Sequence, residues 1–145
     1  MNGEPDLAVT IRDFGIGDFE QALEGWKQEP SIGLSSADDR ASIARFLKRN
    51  PGLSKVAEVD SRVLGTALCG HDGRRGYIYH LWVAPALRRN GIGRLLASAC
   101  LEGLRLRQIG KCHLFIYHSN STGKEFWKAD GWTERKELAV FSHES

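Results

Sequence analysis

Cysteine is scarce in this sequence, and what there is does not pair: Cys69, Cys100 and Cys112 are odd in number and show no C-x-x-C spacing. That excludes a disulfide scaffold and a paired-cysteine metal site, and it suits reduced thiols in a cytoplasmic protein. Long apolar runs are missing too. The longest candidate, "LLASACL", falls far short of the roughly 18 residues of a membrane span. The opening "MNGEPDLAVT" has neither the basic nor the apolar region of an export signal, so a cytoplasmic location and no membrane partner are expected. Between Asp72 and Glu102 there is no acidic residue, while Arg74, Arg75, Arg88, Arg89 and Arg94 all fall there. Such a one-signed stretch is either a solvated surface or an anion site, and arginines beside glycines favour the latter.

What is present reads as one folded domain. The chain has 145 residues, 41% hydrophobic and 26% charged, with a net charge of +2, all ordinary globular values. "LAVTIRDF" alternates like a strand, with Leu7, Val9 and Ile11 on one side. "GDFEQALEGWKQ" places Phe19, Ala22, Leu23 and Trp26 on one helical face, opened by Asp18. "SADDRASIARFLKRNPG" predicts a second helix, with Ser36 and Asp39 as a capping box and Asn50-Pro51-Gly52 as its stop. "SKVAEV", the turn "DSR" and "VLGTALCG" predict a hairpin, "HDGRRG" a second turn, and "YIYHLWV" a strand. A long helix should then run from about Gly91 to Gly110, with Ile92, Leu95, Leu96, Ala99, Cys100 and Leu104 facing inward. "CHLFIY" predicts a strand, "SNSTGKEFWKAD" a short helix and "ERKELAVFS" a last strand. The order β-α-α-β-β-β-α-β-α-β makes the fold class α/β or α+β around a mixed sheet, with its core at about residues 7–142.

The segment "RRNGIG", residues 88–93, joins the strand "YIYHLWV" to the long helix. A strand, a glycine-rich turn and a helix start make an anion site, because the helix's first amides have no internal partner. Gly91 and Gly93 let backbone approach a ligand, and Arg88 and Arg89 add forked cationic donors. A Walker loop is excluded, since G-x-x-x-x-G-K-S/T is absent. A dinucleotide fingerprint is excluded as well, because Leu96 stands where its third glycine belongs.

Arg88, Arg89, Asn90, Gly91, Ile92 and Gly93 fill the pattern Gln/Arg-x-x-Gly-x-Gly/Ala, which resembles the acetyl-CoA-binding motif of the GNAT superfamily of N-acetyltransferases. "HLWVAPALRRNGIGRLL" is similar to that family's strand, loop and helix throughout. "NSTGKEFWKADGW" resembles its distal segment without a gap. The resemblance implies a mostly antiparallel mixed sheet with helices on both faces, splayed where acetyl-CoA binds. It implies that the amides of Arg89 through Arg94 hold the pyrophosphate and that the backbone of Trp82 and Val83 pairs with the pantetheine arm. The Val83 amide would then act as an oxyanion donor, and the Asn120 side chain would approach the cofactor near the thioester. A helix cap is the competing role for Asn120. The first two helices and "EPSIGLS" would shape the acceptor pocket, with Trp26 and Trp82 as walls.

The resemblance also exposes gaps. The position often held by a tyrosine acid is Trp127, whose indole cannot transfer a proton, so packing beside coenzyme A is the expectation there. Phe115 stands where some relatives carry a glutamate. Tyr77 and Tyr79 lie six and four residues before Val83, where relatives place a glutamate or histidine base. Tyrosine is a poor base but a usable acid. His80 has a suitable basicity and would face the site if its strand carries a bulge. His80 and Tyr79 lead; His118, Tyr117 and a bound water remain open. Metal is not expected, as no pair among Cys69, His71, Asp72 and His80 has zinc-site spacing. Arg74 and Arg75 are either substrate contacts or a solvated turn. The expected function is acetyl transfer from acetyl-CoA to a primary amine in a ternary complex. The alternative is a GNAT-fold module that binds acetyl-CoA without turnover; a nucleic-acid module has less support, because no aromatic-interleaved basic motif is present. Dimers are common among relatives, so a homodimer is an open expectation.

Overall fold

The structure is a computed structural model that describes residues 8–145; the predicted strand position Leu7 lies outside them. β1 (Val9–Asp13), β2 (Lys55–Val59), β3 (Arg62–His71), β4 (Gly76–Val83) and β5 (Cys112–Leu114) form one open sheet in that order. The first four strands are antiparallel to their neighbours, and β5 runs parallel to β4. The predicted hairpin turns on two residues, Asp60 and Ser61, with φ of 50° and 63°. Positive φ at both central positions matches the turn to the strands' twist.

Helices α1 (Phe19–Lys27) and α2 (Arg40–Arg49) cover one face, where Phe14, Phe19, Ala22, Trp26, Ile43, Val56, Leu68 and Trp82 pack together. Helix α3 (Ile92–Leu106) covers the other face: a side chain at Gly65 or Gly76 would meet its Leu96 or Leu104. Leu95, expected on the inner face of α3, is exposed, and Ala97 and Gly103 are buried instead. Ile92, Leu96, Cys100 and Leu104 are buried as expected, so the buried stripe is narrower at Leu95 and widens at Ala97 and Gly103.

The capping box of the α2 region also lies one register earlier than predicted. The Ser35 hydroxyl accepts from the Ala37 amide and Asp38 Oδ2 accepts from the Ser35 amide, closing a 3-10 turn over Ser36–Asp38. Asp39 then caps α2 itself, accepting from the Ser42 amide at 2.8 Å. Asp18 likewise does not cap α1; its carboxylate takes two hydrogen bonds from Arg12 and one from the Gly15 amide.

The chain divides into two compact units, the first reaching to Phe115 and the second Ile116–Ser145. The second unit contains helix α4 (Ser121–Ala129), and Gly131 at φ 93° follows it, a conformation suited to glycine after a helix end. The last strand expected in "ERKELAVFS" is not formed. Leu138, Val140 and Phe141 are exposed, and no ladder pairs their backbone among the described residues. Alternating apolar residues make a strand only where a neighbour supplies hydrogen bonds and a face to cover.

Candidate functional site

The defining irregularity of the sheet lies in β4. Thr66 is opposite Trp82 and Leu68 is opposite Tyr79, so His80 and Leu81 face the single residue Ala67. Two residues against one is a β-bulge, and it shifts the side-chain alternation by one position. Before the bulge Tyr77 and Tyr79 lie on the α1/α2 face, with Tyr79 edge-on to Phe46 of α2. After it His80 and Trp82 lie on that same face. The bulge anticipated as the condition for His80 to turn is therefore present, and His80 takes a φ of 50° to make it. A left-handed conformation is unfavourable for a histidine and persists only where the surroundings hold it.

Three groups hold it. The Thr66 hydroxyl donates to the His80 carbonyl at 2.8 Å and accepts from Trp26 Nε1 at 2.9 Å. The Trp26 ring stands 4.8 Å from the imidazole, centre to centre. Asp38 Oδ1 lies 2.7 Å from His80 Nε2, with both side chains largely buried. A carboxylate against Nε2 requires the proton there, which leaves Nδ1 as the ring's acceptor. Trp26 is wholly buried, and Trp82 nearly so, its ring filling the space where Gly25 of α1 lacks a side chain. The two indoles are core rather than pocket walls: Gly25 lets α1 settle directly on the Trp82 ring.

Tyr79 is 37% exposed, and the burial of the rest of its side chain first, with Tyr77 and Cys112 nearby, raises its phenol above the ordinary value. It stays protonated at neutral pH and suits a donor rather than a base. Tyr77 stacks on both Tyr79 and Phe115, continuing a row of aromatic rings along β4 and β5.

Pairing of β4 with β5 covers Gly76–Ile78 and Cys112–Leu114, whereas β4 runs on to Val83. The loop then turns through a 3-10 segment at Pro85–Leu87. Arg89 has φ 68° and Gly91 φ 76°, and a side chain at Gly91 would meet nothing within 4 Å. At Gly91 the glycine thus serves backbone conformation while the loop stays open to a ligand. Asn90 Nδ2 donates to the Leu87 and Arg88 carbonyls, fastening the turn from within. Ile92 and Gly93 open α3, with Arg94 in its first turn; amides at a helix start have no carbonyl four residues back. Arg88 is directed elsewhere: it donates to the Val83 carbonyl at 3.0 Å and pairs with Glu29 at 2.6 Å. Burial would raise the Glu29 carboxyl, but hydrogen bonds from Ser31 and Arg88 hold it below the usual range. The segment "EPSIGLS" and the arginine loop are joined at that bridge.

Asn120 acts as the cap of α4, its Oδ1 accepting from the Gly123 amide at 2.8 Å. Trp127 sits edge-on between Phe126 and Trp132, 5.0 and 4.9 Å away. His118 is exposed beside Lys124 Nζ, and Tyr117 is exposed. Arg74 and Arg75 are exposed in a turn organised by Asp72, which accepts from both their amides at 2.8 Å. That is the geometry of a solvated turn. Cys69 and Cys100 are buried, and burial pushes the Cys112 thiol up to about 12, so it is inert at neutral pH. Among the described residues no cluster has the makings of a metal site, and no helix is long and apolar enough to cross a membrane.

Reading the sequence alone misses Asp38, Thr66 and Glu29. Asp38 lies 42 residues from His80, and its only local mark is the Ser35–Asp38 box, which competes with the Ser36–Asp39 spacing beside it.

The sequence model described as the acetyltransferase (GNAT) family matches residues 19–132. An acetyltransferase of Pectobacterium atrosepticum is 34% identical over 112 residues, 77% of this chain and 79% of that one. Ard1 from Thermoplasma volcanium superposes with a TM-score of 0.76 at 22% identity, over 88% of this chain and 84% of its own. The PaiA N-acetyltransferase from Thermoplasma acidophilum, solved with coenzyme A, gives 0.77 at 19% identity, over 88% and 91%.

Proposed function

Because the chain belongs to the GNAT acetyltransferase family, we propose that it transfers an acetyl group from acetyl-CoA to a primary amine of a small molecule, peptide or protein. Transfer is direct, within a ternary complex, and the observation that carries this reading is the loop at residues 88–93. Its open left-handed turn at Gly91 and the start of α3 present amides and the exposed Arg89 where a diphosphate would be held. The related N-acetyltransferase solved with coenzyme A supports the same donor.

The backbone of Trp82 and Val83, beyond the end of the β4–β5 ladder, is where the pantetheine arm would pair, with the Val83 amide available to the thioester oxygen. Arg88 supports that strand end through the Val83 carbonyl rather than reaching for phosphate. The amine must lose a proton before it attacks, and the departing thiolate must gain one. Between the two leading candidates, His80 suits the first role, because its Nδ1 lone pair is left free by the bond to Asp38. Tyr79, a phenol and so protonated at neutral pH, suits the second.

The test is acetyl-CoA binding with and without the loop, combined with product detection. Wild type should be protected against heat by acetyl-CoA and should form N-acetyl product with amines of a broad panel. Gly91→Ala, which strains the loop, should raise the KM for acetyl-CoA by up to about five- to thirtyfold, given about 1–2 kcal/mol of left-handed strain. Tight acetyl-CoA binding with no product across the panel would replace this reading with a non-catalytic binding module.

A further inference from the structure

We infer that Asp38 and His80 work as one unit, with Asp38 the positioning residue for a proton-accepting imidazole; the inference rests on the acetyl-transfer reading above. Four constraints hold this residue, two on its backbone and two on its ring. The bulge turns His80 onto the α1/α2 face at a φ of 50°. The Thr66 hydroxyl fixes the His80 carbonyl. Trp26 packs on the ring. Asp38, itself anchored by the Ser35 amide through Oδ2, meets Nε2 through Oδ1.

A carboxylate with little exposure is retained at a cost in solvation, and here its two oxygens are spent on one amide and one imidazole. A purely structural contact would need neither the bulge nor a histidine in a left-handed conformation. What the arrangement supplies is a fixed tautomer: Nε2 donates to Asp38, so the lone pair is on Nδ1. Asp38 also stabilises the imidazolium once that nitrogen has been protonated.

The reaction balances without any further reagent. The ammonium N–H bond breaks and its proton goes to His80 Nδ1. The amine lone pair forms the C–N bond to the acetyl carbon, and the C–S bond breaks with its electron pair on sulfur. The second nitrogen proton lost from the adduct reaches the thiolate, and His80 returns its proton to solvent. The products are an N-acetylamine and coenzyme A as free thiol. The groups that meet the ring are Asp38 from the 36–38 turn and Trp26 from α1, and of these two Asp38 is the ionisable one.

His80→Gly provides the decisive variant, because glycine accepts the positive φ and leaves an imidazole-sized space between Trp26 and Asp38. Its turnover should fall by about 10²-fold or more with the KM for acetyl-CoA nearly unchanged. Free imidazole should restore part of that loss in His80→Gly and none of it in the double variant with Asp38→Asn. Asp38→Asn alone should lower kcat most for strongly basic alkylamines and least for weakly basic methoxyamine, which is already neutral near pH 7 and needs no proton removed before attack. Circular dichroism and acetyl-CoA protection show whether each variant is folded. Equal imidazole rescue with and without Asp38, or a loss in Asp38→Asn that is uniform across the amine series, overturns the pairing while leaving acetyl transfer intact. A folded wild type that turns over no amine overturns the transfer reading itself, and the pairing falls with it.

Discussion

Replacing Thr66 by valine removes one hydroxyl and takes that partner from the buried Trp26 N–H and the part-buried His80 carbonyl. Valine fills nearly the same volume, so no cavity opens and the effect isolates the hydrogen bonds. The Trp26 indole N–H, on a side chain with no exposure, loses its acceptor at 2.9 Å, and the His80 carbonyl loses its donor at 2.8 Å. An unsatisfied buried group costs about 1–3 kcal/mol, so Thr66→Val should destabilise the protein by about 2–4 kcal/mol. With a urea m-value of about 2 kcal/mol/M, the midpoint should fall by about 1–2 M with m unchanged. Thr66→Ser keeps both bonds and loses one methyl, costing roughly 1 kcal/mol. Trp26→Phe removes the indole donor in advance, so Thr66→Val made in that background should cost less, with a coupling of about 0.5–3 kcal/mol. Because the same hydroxyl pins the bulge, Thr66→Val should also lower kcat more than it raises the KM for acetyl-CoA. A change in stability within about 0.5 kcal/mol of wild type, the range of a surface substitution, would refute the claim that Thr66 organises the bulge.

Arg89→Gly should separate stability from donor binding. It relieves a left-handed arginine at φ 68°, for a net gain of a few tenths to about 1 kcal/mol once the glycine's extra unfolded-state freedom is subtracted, while the lost cation raises the KM for acetyl-CoA. Thermal melts and donor titrations measure the two effects, and they should move in opposite directions for fitness. Asp18→Asn tests the ion cluster at the edge of the sheet. Hydrogen bonds from Arg12 first, with the Gly15 amide and the Arg12 charge, hold the Asp18 carboxyl below its ordinary value against burial. Its contribution is present above an unfolded pKa of about 3.9 and is lost as the pH falls through the lower folded value. Wild type should exceed Asp18→Asn by roughly 1–2 kcal/mol at neutral pH, and the gap should narrow as the pH falls below the unfolded value and through the lower folded one. A gap constant with pH would contradict the ion pair.

Much of this arrangement is legible from local pattern. Phe19, Ala22 and Trp26 announce the buried face of α1 by their spacing, and the aromatic run "YIYHLWV" announces β4. The loop at residues 88–93 is legible for another reason: glycines and arginines between a strand and a helix have few other uses. His80 is only half legible. Its chemistry is visible in the sequence, but the direction it faces depends on a bulge set by pairing with Thr66 and Leu68. Asp38 and Glu29 are hidden, because their partners are 42 and 59 residues away, and the Ser35–Asp38 box that marks Asp38 locally says nothing of His80. The failed last strand belongs with these, since alternation at Leu138 and Val140 says which face would be buried but not whether an edge is there to receive it.

The measurement closest to the central claim follows free thiol and N-acetyl product together, in purified protein mixed with acetyl-CoA and a graded series of primary amines. The account predicts thiol release that depends on the amine and matches N-acetyl product one to one, with no acetylated protein formed when the amine is withheld. Thiol released without N-acetyl product, acetyl groups accumulating on the protein, or acetyl-CoA bound and left intact with every amine would contradict it.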